Sequence, residues 1–267
     1  MSSLHRLARL NHDEFLRELA RWSGERGEVV ERDGVLLYAT GTEFPVTCNG
    51  VARLTPDVPD DVVLDTAATW FGDKSRGYTI QVEDAEGRDA GLVAAALERG
   101  ALPLGSSPVM VRRSPLDAPA PDATAASIGV ELRWVDDGAA AADFVSVSDR
   151  SYESLGMTAG AIEEMCVDRN RLFEPHLDIV VAYEGGEPLA TALSLLSHGI
   201  GGVYYVGTLE SARGRGLGEL VTRAVTGRAF ERGAAFVCLQ ATAMGDPIYR
   251  RMGYEQIGDH QNLVHFI

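Results

Sequence analysis

The stretch RGRGLGELVTRAV, residues 213–225, alternates Gly214, Gly216 and Gly218 with Arg215 and Leu217 and then continues as a helix. Leu217, Leu220, Val221, Ala224, Val225 and Phe230 recur at helical spacing. Upstream lies GVYYVGTL (202–209), rich in β-branched and aromatic residues as a strand is. Downstream lies AFVCLQAT (235–242), a near-continuous apolar run of the kind found in a strand with parallel neighbours. Glycines between a strand and a helix let successive backbone N–H groups turn into one concavity, in dihedrals that residues bearing Cβ avoid. The helix adds its own unpaired N–H groups and the positive end of its dipole. Such a turn suits a phosphate or pyrophosphate, and Arg213 and Arg215 add positive charge in a chain of net charge −15. The turn taken alone is equally compatible with a tight strand-to-helix link that binds nothing. Two common phosphate motifs are excluded. No Lys-Ser or Lys-Thr follows Gly218, so this is not a P-loop. The G-x-G-x-G spacing also misses the third glycine of the dinucleotide fingerprint.

Working outward, IGVELRWV (128–135) reads as a strand, and AAAADFVSVSDRSYESL and TAGAIEEMCVDRNRLF as two helices. DIVVAYEGGEPLATALSLLS reads as a hairpin turning at Gly185–Gly186. DPIYRRMGY reads as a short helix with Asp246 as N-cap, Pro247 at its first position and Gly253 as its stop. EQIGDHQNLVHFI closes the chain as strand material, giving the order β-α-α-β-β-β-α-β-α-β. The N-terminal half has a strand pair in GVLLYATGTEFPVTCNGVARL, a helix in DDVVLDTAATWF, a strand in GYTIQVED, a helix in DAGLVAAALERG and a strand in LGSSPVMVRR. Gly100 and Gly105 precede PVMV as Gly253 and Gly258 precede NLVHF, a weak internal repeat. Between the halves, SPLDAPAPDATAA (Ser114–Ala126) reads as an extended linker. The expected organisation is a domain at 1–113, the linker at 114–126 and a second domain at 127–267.

YYVGTLESARGRGLGELVTRAV followed by GAAFVCLQATAMGDPIYRRMGYEQIG resembles the GNAT superfamily of acyl-CoA-dependent N-acyltransferases. Arg213, Gly216 and Gly218 match the family's phosphate loop, and Tyr249, Gly253 and Tyr254 match its tyrosine helix and Gly-aromatic pair. The resemblance covers residues 128–267. It implies an α/β (α+β) GNAT fold, a mixed central sheet flanked by helices, with the N-terminal half a degenerate tandem copy lacking loop and tyrosine. It implies acetyl-CoA as co-substrate, its pantetheine arm along the backbone of Val206, Gly207 and Thr208. Its pyrophosphate would lie in the loop Arg213, Gly214, Arg215, Gly216, Leu217 and Gly218. Tyr249 would be the general acid that protonates the leaving thiolate, and Tyr254 a packing residue. Glu174, His176, His198 and Glu210 are candidate bases, none preferred over ordered water. The expected reaction is acetyl transfer to a primary amine, of a small molecule or a protein. A non-catalytic acyl-CoA-binding or sensing module and another kind of nucleotide-binding domain are the alternatives, and Tyr249 favours the enzyme.

The remaining composition bounds the partners. Cys48, Cys166 and Cys238 lie too far apart to form a metal-binding spacing, so no metal is expected, and unpaired thiols suit a reducing compartment. The N-terminus carries no secretory apolar stretch and no run of about 18 apolar residues occurs, so a cytoplasmic protein with no membrane partner is expected. The acidic balance disfavours nucleic acid. Monomer and homodimer are both compatible with the sequence.

Overall fold

In a computed structural model the described residues are 3–83, 87–116 and 121–266. The N-terminal half contains α1 (Ser3–Trp22), β1 (Glu28–Arg32), β2 (Val35–Ala39), β3 (Asn49–Arg53), α2 (Asp60–Gly72), β4 (Tyr78–Val82), α3 (Ala90–Glu98) and β5 (Leu102–Arg112). The C-terminal half contains α4 (Pro121–Ser127), β6 (Glu131–Trp134), α5 (Gly138–Glu153), α6 (Ala161–Met165), β7 (Leu177–Glu184), β8 (Glu187–Ser197) and β9 (Ile200–Thr208). It ends with α7 (Leu217–Glu231), β10 (Val237–Gln240), α8 (Asp246–Arg251) and β11 (Glu255–His265). The fold is mixed α/β, a large mixed sheet flanked by helices, as expected.

Among the described residues, eleven strands join one sheet in the order β1-β2-β3-β4-β11-β5-β10-β9-β8-β7-β6. Of these strands only β3–β4 and β9–β10 pair in parallel. The last strands of the two halves are exchanged: β11 lies beside β4, and β5 lies between β11 and β10. The sheet is therefore continuous across the 113/127 boundary.

The strands beside α5 and α7 are buried on both faces, which is why they read as unbroken apolar runs. On β7, Leu177, Ile179, Val181 and Tyr183 pack with Phe144 and Val145 of α5 and with Leu16, Leu19 and Trp22 of α1. Val180 and Ala182 face Leu220, Val221 and Ala224 of α7. Leu36 and Tyr38 of β2 share the first of these clusters, so α1 covers one face of both halves. The opposite face of β2–β4 packs under α2 and α3.

Several local readings differ from the sequence expectation. The second part of the expected extended linker is α4; residues 117–120 lie outside the described residues. Pro121 sits at the first helical position, where its fixed φ suits a helix, and Ala125 is buried against α7. The single helix expected over 158–173 is instead α6 and a 3-10 turn at Arg169–Phe173. There the Asp149 carboxylate accepts from the N–H of Gly160 and Ile162, and Trp22 O accepts from Asp168 N–H. Asp246 lies inside α8 rather than capping it; Gly245 is the cap, and Arg250 Nε donates to Asp246 at 2.8 Å. The N-terminal helix α1 and strand β1 had not been anticipated.

Because β5 fills the gap between β10 and β11, residues 127–267 expressed alone should not fold. Met110 and Val111, both fully buried, would be missing, and two strand edges would be bare. Soluble expression and circular dichroism check this, and co-expressed residues 1–113 should restore a folded complex.

Candidate active site

β9 and β10 pair in parallel only as far as Val203↔Leu239. β10 then follows β5 instead, with Gln240 opposite Val109 and Ala241 N–H donating to Pro108 O at 2.9 Å. β9 runs on to Thr208 without its partner, and a V-shaped cleft opens between them. A bulge sharpens the bend: Tyr204 faces Leu193 and Gly207 faces Thr191, so β9 carries one extra residue. Tyr205, inside the bulge, has φ +49°, a conformation that non-glycine side chains rarely adopt. Gly207 is required by close approach, since a Cβ there would run into Ser151 Oγ of α5.

The glycine turn follows. Gly214 and Gly216 have φ of +76° and +80°, and Gly216 is the left-handed N-cap of α7. Among the described residues, the backbone N–H groups of Gly214 through Glu219 have no hydrogen-bond acceptor, and the first in the helix to find one is Leu220, which donates to Gly216 O. They form the concavity expected from the sequence. Arg213 is held beside it: Nε donates to Thr208 O at 3.3 Å and Nη2 to Ser154 Oγ at 2.5 Å. No carboxylate among the described residues pairs with Arg213, so its charge stays available to an anion. Arg215 differs. Its guanidinium is bound by both carboxylate oxygens of Glu184.

Tyr249, on α8, is 7% exposed and closes the other wall of the cleft. Gly245 makes its seat, because a Cβ at 245 would lie 2.6 Å from the ring. Burial pushes the phenol up to about 12, with Thr222 beside it working the other way. The hydroxyl therefore keeps its proton at neutral pH. Tyr254 is buried behind it, its hydroxyl 2.7 Å from that of Thr226.

One cavity of about 600 Å³ joins these parts. Val206, Gly207, Thr208, Arg213, Gly214, Gly216, Leu217, Gly218 and Tyr249 all line it, and Arg215 does not. None of Glu174, His176, His198 and Glu210 lines it. Glu174 accepts from Arg171, and His176 lies 3.3 Å from Glu18 beside α1. His198 is at an exposed turn with φ +54°. The cavity reaches instead to the junction of the halves, lined there by His12 and Phe15 of α1, Gln81 of β4, Ser107 of β5, and His260 and Asn262 of β11. These residues were missed because they come from four separate stretches of chain. The helical spacing of Leu7, Ala8, His12, Phe15, Leu19 and Trp22 was the one available signal. Burial holds both imidazoles neutral: His260 is lowered to about 4, and His12 well below its ordinary value, with the neighbouring His260 adding to the effect. A ring nitrogen of each and a carboxylate oxygen of Glu83 lie within 4.8 Å of one another.

Residues 139–257 match a family model described as an acetyltransferase (GNAT) domain. No curated protein matches the sequence. Among solved structures, a GCN5-related N-acetyltransferase from Kribbella flavida is 23% identical, with a TM-score of 0.68 over 96% of this chain and 94% of its own. A functionally unknown conserved protein from Staphylococcus epidermidis ATCC 12228 is 17% identical, with a TM-score of 0.62 over 90% and 94%. A GCN5-related N-acetyltransferase from Sphaerobacter thermophilus is 17% identical, with a TM-score of 0.60 over 87% and 76%. The chain thus has the fold of the GNAT acetyltransferases over nearly its whole length, and its C-terminal half matches their domain model.

Proposed function

We propose that the protein is an N-acetyltransferase that moves an acetyl group from acetyl-CoA to a primary amine by direct attack in a ternary complex. One observation carries this reading. A single cavity joins a nest of free backbone N–H groups, an unpartnered strand edge and a buried phenol that keeps its proton. The N–H groups of Gly214 to Glu219, with the α7 dipole, suit the pyrophosphate. Arg213, held by neutral oxygens, adds the compensating charge. The edge of β9 at Val206–Thr208 offers strand-like hydrogen bonds to the pantetheine amides, and a backbone N–H there can stabilise charge on the thioester oxygen. Tyr249 supplies a proton to the departing sulfur. A module that only senses acyl-CoA would have no use for that acid.

The element order β1-β2-β3-α2-β4-α3-β5 parallels β7-β8-β9-α7-β10-α8-β11, which supports reading the N-terminal half as a second copy. Its strand-to-helix link, LTPDVP at 54–59, contains no glycine. Acetyl-CoA is therefore bound once, and the N-terminal half shapes the acceptor end. The acceptor is an amine of a small molecule or a protein. Three buried free cysteines suit action in the cytoplasm.

Calorimetry with acetyl-CoA should give one site per chain, and Gly216→Glu should abolish it by placing a negative side chain in the nest. The two arginines should separate. Arg213→Ala should weaken acetyl-CoA binding about 10-fold or more, as loss of a charge-assisted contact does, whereas Arg215→Ala, already neutralised by Glu184, should change it less than about 3-fold. Tyr249→Phe should leave acetyl-CoA affinity unchanged and slow single-turnover acetyl transfer by about 10²–10⁴-fold, the contribution of a positioned acid. Transfer at the wild-type rate would make Tyr249 a packing residue.

A further inference from the structure

The end of the cavity far from the glycine turn is built by both halves, and it holds two imidazoles that nothing above employs. A chain of hydrogen bonds fixes one of them. Tyr38 donates its hydroxyl to Thr47 O at 3.2 Å. That hydroxyl accepts from Gln81 Nε2 at 2.9 Å, which orients the Gln81 amide with its oxygen toward His260. His260 Nε2 lies 2.7 Å from Gln81 Oε1 and 3.2 Å from Asn262 Oδ1. Both are carbonyl-type acceptors, so Nε2 carries the proton and Nδ1 is left as a bare lone pair. His260 Nδ1 is buried and has no partner among the described residues. The rings of His12 and His260 cross at 76°, with centroids 4.8 Å apart. Neither nitrogen of His12 has a hydrogen-bond partner among the described residues, and His12 lines the cavity.

We infer that the His12–His260 pair is the proton acceptor on the amine side of the reaction, with His12 receiving the proton and His260 the positioning residue that sets its tautomer. The inference rests on the acetyltransferase reading of the cavity. A ring nitrogen of His12 lies within 4.8 Å of one of His260, and in the proposed state a His12 N–H turns to the otherwise unpartnered lone pair of His260 Nδ1. A His12 ring so oriented keeps its other nitrogen bare for the substrate. The charged side chains lining the cavity, Arg213, Glu219 and Arg251, gather at the glycine turn and the adjoining helix ends. The His12 end is walled by imidazole, amide, hydroxyl and aromatic groups, so the amine enters as its uncharged form. Both imidazoles are weak bases in this setting, yet an amine nitrogen becomes strongly acidic once it has begun to bond the acyl carbon. The proton balance is then complete. The amine lone pair forms the C–N bond, and one N–H proton passes to His12. The C–S pair leaves with sulfur, which takes the Tyr249 proton. One proton returned to Tyr249 and one lost from His12 through water restore the starting state.

The same residues invite comparison with a metal site, since Glu83 completes a three-residue group. Glu83, however, is in ion pairs with Arg9 at 3.5 Å and Arg88 at 3.9 Å. Burial pushes Glu83 well above the ordinary carboxylate range, and Arg9 and Arg88 repel a further cation, which favours the proton-transfer role.

The test uses the full chain, acetyl-CoA, and ethylamine as a small probe without a second charge, followed by thiol release. His12→Ala should bind acetyl-CoA like the wild type and lose thiol release by about 10²–10⁴-fold, with partial recovery on adding imidazole. His260→Phe, which keeps a ring of similar shape but has no nitrogen lone pair, should lose at least about 10-fold. Wild-type rates in both variants would overturn the inference. Failure of the wild-type protein to bind acetyl-CoA would instead overturn the acetyltransferase reading. Nitrogen-15 shifts of the histidines in unmodified protein decide the point without any variant or acceptor. At neutral pH His260 should be protonated at Nε2 and bare at Nδ1, and His12 should be neutral. A proton on His260 Nδ1, or a charged His12, would overturn the inference.

Discussion

The exchanged pairing of β5 with β11 is the contact on which the rest of the molecule depends. It runs from Glu255↔Val111 to Val264↔Leu102 at the middle of the sheet, so each half completes the other. It also sets the cleft. β10 must choose between β9 and β5 after Leu239, and the hydrogen bond from Ala241 to Pro108 takes it toward β5. A strand of the N-terminal half thus opens the cavity in the C-terminal half, and β11 carries His260 back to meet His12 of the first helix.

The two ends of the cavity use opposite electrostatics. At the glycine turn, polar groups are left unpaired and positive: backbone N–H groups, a helix dipole and an arginine held by neutral oxygens. At the junction, the directed chain Thr47–Tyr38–Gln81–His260 fixes hydrogen positions without any charge. Between them the left-handed Tyr205 and the glycine at 207 bend β9 so that its edge faces the cavity. Backbone strain of this kind persists only where surrounding packing imposes it. Here Phe15, Trp22, Phe144 and Tyr152 surround the Tyr205 ring.

Legibility in the sequence followed the locality of the interactions. RGRGLG, its flanking strand and helix, and the tyrosine helix were readable because each is set within a few residues by dihedral freedom or apolar period. Hairpin β7–β8 was readable from Gly185–Gly186 for the same reason. What the sequence did not show was settled by distant contacts. Arg215 looks equivalent to Arg213 in sequence, and only the structure shows it paired with Glu184 of another strand and outside the cavity lining. The helix expected to run through residues 158–173 is broken by contacts to Asp149 and to α1.

The sequence by itself determined the strand and helix on either side of the glycine turn, the turn itself and the helix that carries Tyr249, because these depend on backbone conformation and short-range periodicity. Only the tertiary structure decided that the last strands change places and that His12 and His260, 248 positions apart in the chain, share one wall. The reason is physical: β5 and β11 are of equal length, each with a glycine at its fourth position and a short buried apolar run near its end, and either could complete either half. Local propensity does not distinguish those pairings. Burying both faces of one continuous sheet does.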